Sequence, residues 1–565
     1  MADSTRLPVT VSVRGPLAQR LKPGQGAEKC TQEIAARVDQ VLAELGLAGS
    51  ADVRTDLACG GPQPAPEDWI ELRVLGRRCR YPAELLAQLA AALEGRQAES
   101  LRSPVREEWL DGGPAGDRAA VLIGALCAEA VKLRPSVLLG PGQVAASAEA
   151  LHLSEVSPGW LDRVLADLLD RGIGIGEVAS HGPLVQEGQQ AGTHAVSESL
   201  TSALSASSLE VLVPQDIAPL LGKGDLGDDA DLLGHVAASL FEGSGLLVPS
   251  FRVMSSESLP AGCFAFRLNS LLTAPTAALG PQEILVNDTS ERLALLGVEA
   301  RAVVNPATGG PGALVPASDA QRLEDDGLTV WTREGHVVLC LGQELRRRAG
   351  WLVHQDKVQA QLDVLEEVLP AVVGAARARI DAAELAVLLR ALAADGISLG
   401  NLPPVLERII DAGYVSPRPD SGRFLLLDDP VTAARTGPGA GPGDPAWLEV
   451  FVRTGLRREI AAQRSVNRDT LVVYLLHSEI DQLLRQQFCE ETQDRVIEAV
   501  RAELALLPVT AQVPVILTDD DIRPVLGQSL ACVLPRVGVV GYGDLPPDFN
   551  IQPASRIELI GRTPP

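Results

Sequence analysis

Aromatic residues are scarce in this chain, at 3% of 565 residues, and methionine occurs only twice. A core cannot be built on ring stacking, so the 46% of hydrophobic residues must pack as aliphatic side chains, in a folded and mostly helical protein with some sheet. No run of about 18 or more apolar residues occurs, which excludes a spanning helix, and no basic-then-apolar opening marks a signal peptide. The expected location is cytoplasmic. The eight cysteines form no C-x-x-C pair and no histidine stands at ligand spacing, so neither a metal site nor a disulfide framework is predicted, and the thiols should be reduced. Positive charge is in deficit, with 49 Lys and Arg against 73 Asp and Glu. A net charge of −24 argues against a general nucleic-acid binder and leaves proteins or cations as the expected partners.

Catalytic signatures are missing too. There is no G-x-S-x-G elbow and no H-E-x-x-H, and the seven histidines stand singly. The G-I-G-I-G run at Gly172 to Gly176 follows a helix, whereas a dinucleotide loop must follow a strand and open a helix. No catalytic residue and no cofactor are nominated, and the chain is read as not an enzyme.

What is present is clearest between Gly335 and Gly413. Leu385, Leu388, Leu389 and Leu392 put one apolar stripe on a helix, with Asp381 as N-cap, Glu384 three residues on, and Gly396 as the stop. A second helix comes after it, with Asn401 as candidate cap, Pro403 and Pro404 in its first turn, and Leu402, Val405, Leu406, Ile409 and Ile410 on one face up to Gly413. Upstream, Leu161, Val164, Leu165, Leu168, Gly172 and Ile173 echo Leu385, Leu388, Leu389, Leu392, Gly396 and Ile397. A partial duplication and independent convergence on a capped hairpin account for that echo equally.

At this length one core is too few. Residues 1–105 read as a small α/β unit, with strands at Pro8–Val13 and Trp69–Leu75, helices at Cys30–Leu45 and Pro82–Leu93, and the loop CGGPQPAP between. Arg77, Arg78 and Arg80 fit a solvated strand end better than an anion site. Residues 119–179 are a helical segment, and the small polar stretch 180–208 is predicted to be a linker. An α/β unit with an inserted small sheet domain spans 209–334, including an acidic turn GKGDLGDDAD and the strands CFAFRLNSLL and EILVNDT. A helical module covers 335–432, a Gly/Pro linker 433–445, and a C-terminal α/β unit 446–565. In that last unit Asp519, Asp520 and Asp521 read as a helix start, with Pro524 either kinking the helix or delaying its start.

Four phrases in order, HVVLCLGQELRRRAGWLVHQDKVQAQLD, ALAADGISLGNLPPVLERI, PVILTDDDI and YGDLPPDFNIQP, resemble the cytosolic domain of the flagellar and injectisome export-gate proteins, the FHIPEP family. The resemblance runs from about Leu209 to about Pro553, and the family's membrane half has no counterpart here. It implies a multidomain α+β and α/β fold in four subdomains, preceded here by the N-terminal α/β unit and helical segment. It also implies a non-enzymatic scaffold, ring-forming or otherwise homo-oligomeric, that docks chaperone–substrate-like clients. Phe264, Phe266 and Leu268, a period-two face that suits core and surface alike, are the candidate partner-binding residues. Arg346, Arg347 and Arg348 are the candidate oligomer contact, against a plain solvated basic face. A monomeric adaptor that keeps the fold without a secretion role, and an enzyme that binds a small ligand through the N-terminal unit, are the alternatives.

Overall fold

Strand alternation settles the first sheet. In the computed structural model, β1 (Arg6–Arg14) buries Leu7, Val9, Val11 and Val13 and turns the residues between them outward. The structure describes residues 6–14, 25–58, 70–97, 115–151, 158–188, 193–205, 208–221, 232–256, 259–305, 310–413, 445–465, 470–486, 489–504, 514–531 and 533–559, with Ala18 and Leu21. The chain divides into two units, Met1–Ser239 with Val248–Leu345, and Leu240–Leu247 with Arg346–Pro565.

In the first unit β1 is followed by α1 (Gln25–Glu44), β2 (Ser50–Ala58), β3 (Ile70–Val74), β4 (Arg77–Cys79) and α2 (Ala83–Leu93). The sheet order is β2-β1-β3-β4, with β2 parallel and β3 antiparallel to β1. The sequence reading lacked β2, an edge strand with no fully buried side chain among those described. The loop CGGPQPAP lies outside the described residues.

Next come α3 (Ala115–Lys132), a 3-10 turn at Pro135–Leu138, α4 (Pro141–Ala150) and α5 (Pro158–Asp170). The stretch predicted as a linker is instead helical, as α6 (Gly182–Gly188) and α7 (Thr193–Leu204). Its small polar residues pack because they have a buried charge to satisfy. Arg171 lies 2.8 Å from Glu198, whose side chain is wholly buried, and donates to Thr201 Oγ1 at 2.6 Å. Composition announced polarity; the fold gives that polarity a partner.

The glycine run after α5 is explained by close backbone approach, not by phosphate. A Cβ on Gly46 would come within 2.5 Å of the Gly176 backbone, and one on Gly174 within 2.8 Å of Ser270 Oγ. The second sheet holds β5 (Ser208–Val213), β6 (Ser250–Ser255), β7 (Cys263–Leu268), β8 (Leu271–Leu272) and β9 (Thr276–Ala277), in the order β6-β5-β7-β8 with β9 on β7. Two helices, α8 (Ala218–Leu221) and α9 (Leu232–Ser244), lie between β5 and β6 in the chain; the acidic turn at 222–231 is outside the described residues. CFAFRL therefore belongs to this sheet and not to the small inserted one, because β7 pairs with β5.

The small sheet domain is β10 (Glu283–Val286), α10 (Ser290–Leu295), β11 (Arg301–Val304), β12 (Pro311–Pro316), α11 (Ala320–Asp325) and β13 (Val330–Trp331), in the order β11-β12-β10-β13. Alternation divides its core. Ile284 and Val286 join Leu293, Val298 and Leu323 on one face, while Leu285 joins Leu279, Val303 and Leu314 on the other.

The helix α12 (Arg333–Arg347) is followed in the second unit by a 3-10 turn at Ala349–Leu352, α13 (Gln355–Val368), α14 (Pro370–Arg377), α15 (Ala382–Ala394) and α16 (Leu402–Ala412). The capping box on α15 forms as read, with Glu384 N donating to Asp381 Oδ1 at 2.8 Å, and Gly396 stops it at φ +75°. Asn401 makes no side-chain cap bond. Residues 414–444, with nearly all of the predicted Gly/Pro linker, lie outside the described residues.

The last elements are α17 (Pro445–Gly455), α18 (Arg457–Arg464), β14 (Thr470–Leu476), α19 (Ser478–Gln486), α20 (Glu490–Leu504), β15 (Val515–Thr518), α21 (Arg523–Ala531), β16 (Gly538–Gly541) and β17 (Asn550–Ile557). They build an all-parallel sheet, β16-β15-β14-β17, with Ile516 in one core and Val515 and Leu517 in the other, as a sheet covered on both faces requires. Pro553 sits on the edge strand β17 beside the irregularity in its register, where a missing N–H is tolerated.

Removing Glu198 takes from the buried Arg171 guanidinium the fully buried one of its two carboxylates, leaving Asp167 at 2.5 Å as the other. Glu198→Ala should destabilise the first unit by about 3 kcal/mol or more, read as an earlier transition in urea unfolding, whereas a surface Glu-to-Ala change should move it by less than about 0.5 kcal/mol.

Candidate functional site

The residues predicted to meet a partner are interior. Phe264, Phe266 and Leu268 are 0%, 4% and 4% exposed, and the two rings pack on each other at 5.6 Å. The contact role expected of them is corrected on that ground, since side chains so buried offer a partner no surface. Period two fixed which residues share a face, but β7 runs between β5 and β8 and is covered on both sides. The Phe264 ring also meets His336 edge-on at 5.6 Å. His336 is fully buried, its Nδ1 has no hydrogen-bond partner, and burial drives its pKa down to about 4.

Arg346 and Arg347 are exposed at the end of α12, and the half-buried Arg348 lays its guanidinium 4.4 Å over the Trp351 ring. The basic turn is thus open on one flank and held on an aromatic on the other.

An apolar surface does exist on the small sheet domain, where sequence reasoning did not look for it. Thr289 caps α10 by accepting from Arg292 N, Leu293 points into the core, and the adjacent Leu295 and Leu296 are 88% and 41% exposed. The signal available was a short capped helix with more leucines than one buried stripe can use.

The second unit contains a buried ion network that no sequence pattern announced. Arg453, 2% exposed, forks onto Asp544 at 3.1 and 2.8 Å and onto Asp395 at 2.7 Å. Arg523 reaches the same Asp395 at 2.6 Å and Glu449 at 2.7 Å. Burial alone would raise the Asp544 carboxyl, but the Arg453 charge and its hydrogen bonds, with Arg523 and the Gly541 amide, hold it at about 2. Burial likewise works against the Arg453 charge, and Asp544, Asp395 and Glu449 outweigh it, raising that pKa. Each of these groups is paired within the network, which ties α15, α17 and α21 to the turn after β16.

The acidic triplet is divided among partners as well. Asp519 and Asp521 clamp Arg485 at 2.5 and 2.7 Å, and Asp520 accepts from Gly543 N at 3.1 Å. The capping role expected of them is replaced by these pairings, because α21 begins only at Arg523. Of the two outcomes that Pro524 led the sequence to predict, a kink or a late start, the structure shows the late start.

The fold is a mixed α+β multidomain one, of the kind that the export-gate resemblance implies. It overlays the CdsV protein of Chlamydia pneumoniae with a TM-score of 0.52 at 20% identity, covering 62% of this chain and 98% of that one. Residues 164–422 match the model of the FHIPEP family. The flagellar biosynthesis protein FlhA of Treponema pallidum is 22% identical over 383 residues, 63% of this chain and 49% of that protein. The putative truncated flagellar export/assembly protein LfhA of Escherichia coli is 20% identical over 328 residues, 55% of this chain and 51% of that protein. The chain spans about half the length of these curated relatives. Among the described residues no helix is long and apolar enough to cross a membrane.

The buried ionisable groups give two pH responses. Asp544 titrates lower in the folded state, so its contribution is whole above about pH 4 and is lost as pH falls towards 2; Asp544→Asn should cost about 3–5 kcal/mol at neutral pH and remove that acid limb. His336 also titrates lower when folded, so the first unit should hold full stability above about pH 6.5 and lose up to about 3 kcal/mol as pH falls to 4. His336→Leu should flatten that slope in unfolding curves recorded across the window.

Proposed function

We propose that this chain is a non-enzymatic, cytoplasmic docking scaffold. It assembles with copies of itself, in a ring or another homo-oligomer, and offers its small sheet domain to protein clients of the type III and flagellar export kind, chaperone–substrate complexes among them. The observation that carries the reading is Leu295, 88% exposed beside Leu296 on a domain that already has closed cores of its own. A side chain so exposed adds nothing to folding, and with Leu296 it is the surface this reading assigns to a partner. The FHIPEP-family match at 164–422 supports a place in protein export, and the Chlamydia CdsV protein has been solved in complex with CdsO, which supports a protein as partner. Arg346, Arg347 and Arg348 are the proposed oligomer contact, meeting carboxylates on a neighbouring copy of this acidic chain.

Light scattering across protein concentration and salt tests the assembly. A particle of many protomers that dissociates as salt rises is expected, and Arg346→Glu with Arg347→Glu should lower its mass at fixed concentration. A strictly monomeric protein at high concentration and low salt would overturn self-assembly and favour the adaptor. Leu295→Glu should weaken capture of a flagellar-type chaperone–substrate complex about thirtyfold while leaving the thermal unfolding of the chain unchanged.

A further inference from the structure

The family match begins at residue 164, and nothing in it speaks for the residues before. Their structure does. From β1 to α5 the chain repeats most of the element order of the run from β5 to α15, in which α8, β9, the small sheet domain and α14 are additional. Each run opens with a strand, a helix and a parallel second strand, then adds an antiparallel strand and a short antiparallel return, giving sheet orders β2-β1-β3-β4 and β6-β5-β7-β8. Each continues with a long helix, a 3-10 turn and a second helix, and ends on a helix stopped by a positive-φ glycine, α5 in the first run and α15 in the second, where α14 intervenes. Among the described residues only Leu75 and Asn269 have positive φ without being glycine, 51° and 53°, and they occupy the same return turn in the two runs.

The agreement extends to single hydrogen bonds. After the third helix, Gly172 N donates to Leu169 O at 2.8 Å and Ile173 N to Leu168 O at 3.0 Å; Gly396 N donates to Ala393 O and Ile397 N to Leu392 O, both at 2.9 Å. Three residues past each stop glycine the loop returns to the end of the first helix, Ile175 N to Leu45 O and Leu399 N to Ser244 O, each at 2.8 Å. Gly46 at φ +65° and Gly245 at φ +71° stand at those helix ends, and a Cβ on either would strike the backbone of Gly176 or Gly400 respectively. Convergence on a capped hairpin explains a helix and its stop. It does not explain a shared sheet order, a shared strained turn and a shared loop closure.

Each loop leaves the same three backbone groups to satisfy, and in each the next segment of the chain satisfies them. In the first, Asn269 Nδ2 donates to Arg171 O and Ser270 N to Gly172 O, both at 2.9 Å, while Gly174 N donates to Ser270 Oγ at 2.8 Å. In the second, Arg464 donates to Asp395 O at 2.6 Å, and the Gln463 amide, turned to pair both groups, donates to Gly396 O at 3.1 Å and accepts from Ser398 N at 3.2 Å. Arg171, Gly172 and Gly174 are the positional equivalents of Asp395, Gly396 and Ser398.

We propose that residues 6–178 are a second copy of the run of elements between residues 208 and 402, without its small sheet domain, and that the glycine loop closing each copy is a slot that binds the next domain of the chain. The first slot takes the Asn269–Ser270 turn of the following copy. The second takes Gln463 and Arg464 of α18. Where the later copy carries the small sheet domain, between β9 and α12, the first carries α2. The chain thus brings two such frames and one client-facing domain.

The first slot is tested on the full chain with a specific protease site inserted between Ser205 and Ser208. After cleavage the two pieces should remain one particle by size exclusion in native buffer. Gly174→Val, which sets a side chain against Ser270, and the milder Ser270→Ala should each weaken the association about tenfold or more while both pieces keep their circular dichroism. The second slot is tested by Gln463→Leu, for which amide exchange at Ser398 should accelerate about tenfold with Gly174 exchange unchanged. Wild-type pieces that separate on cleavage, or slot variants that leave association and exchange as they were, would overturn the proposal. No readout involves a client or self-assembly, so it stands or fails apart from the scaffold reading.

Discussion

Arg453 is nearly cut off from water, and much of the second unit is arranged by that fact. A buried guanidinium is tolerated only where carboxylates meet its fork, and both ends of its fork are met, by Asp544 and Asp395. Asp544 in turn accepts the Gly541 amide at 3.0 Å, which pins the 3-10 turn after β16 against α17. Asp395 stands at the C-terminal end of α15, where the helix dipole disfavours an anion; Arg453 and Arg523 reverse that local penalty. One set of charges therefore fixes the end of a helix in the helical module, the first helix after residues 414–444, and the turn and last helix of the parallel sheet.

That network also marks how far the sequence could be read. The α15 capping box, its apolar stripe and its glycine stop are local, with every partner within a few residues, and all were legible. Arg453 and Asp544 are 91 positions apart, and Asp395 and Arg523 are 128 apart. In a chain with 73 acidic residues no spacing selects those carboxylates from the rest. The strand at Phe264 was legible as a strand, but period two says which side chains share a face and not whether that face is covered. The stretch at 180–208 failed for the opposite reason: Ser197, Glu198 and Thr201 look solvated until Arg171 is placed beside them.

The repeat shows the same division between what is local and what is not. Its echo could be read over the helices, because leucines at helical spacing and a stop glycine survive divergence as pattern. The two sheets share order and direction with little residue pattern in common, since β2 buries no side chain deeply among those described and β6 is mostly exposed. Glycine is the residue that crosses this gap. A Cβ on Gly46 would come within 2.5 Å of the Gly176 backbone and one on Gly245 within 2.3 Å of Gly400, so at these two positions the chemistry of the contact and the letter in the sequence coincide.

A frame closed in this way can accept a different insert without changing its own register. Its closing loop is tied to the end of its first helix by one backbone bond of 2.8 Å in each copy, far in sequence from the junction after the antiparallel strands. Whatever enters the chain at that junction, α2 in one case and the small sheet domain in the other, leaves the closure untouched. The small sheet domain has its own apolar cores on both faces of its sheet, so its stability does not depend on burying Leu295. Surface on such a domain can change with the partner it meets while the frame beneath it stays constant, which is the division of labour a docking scaffold requires.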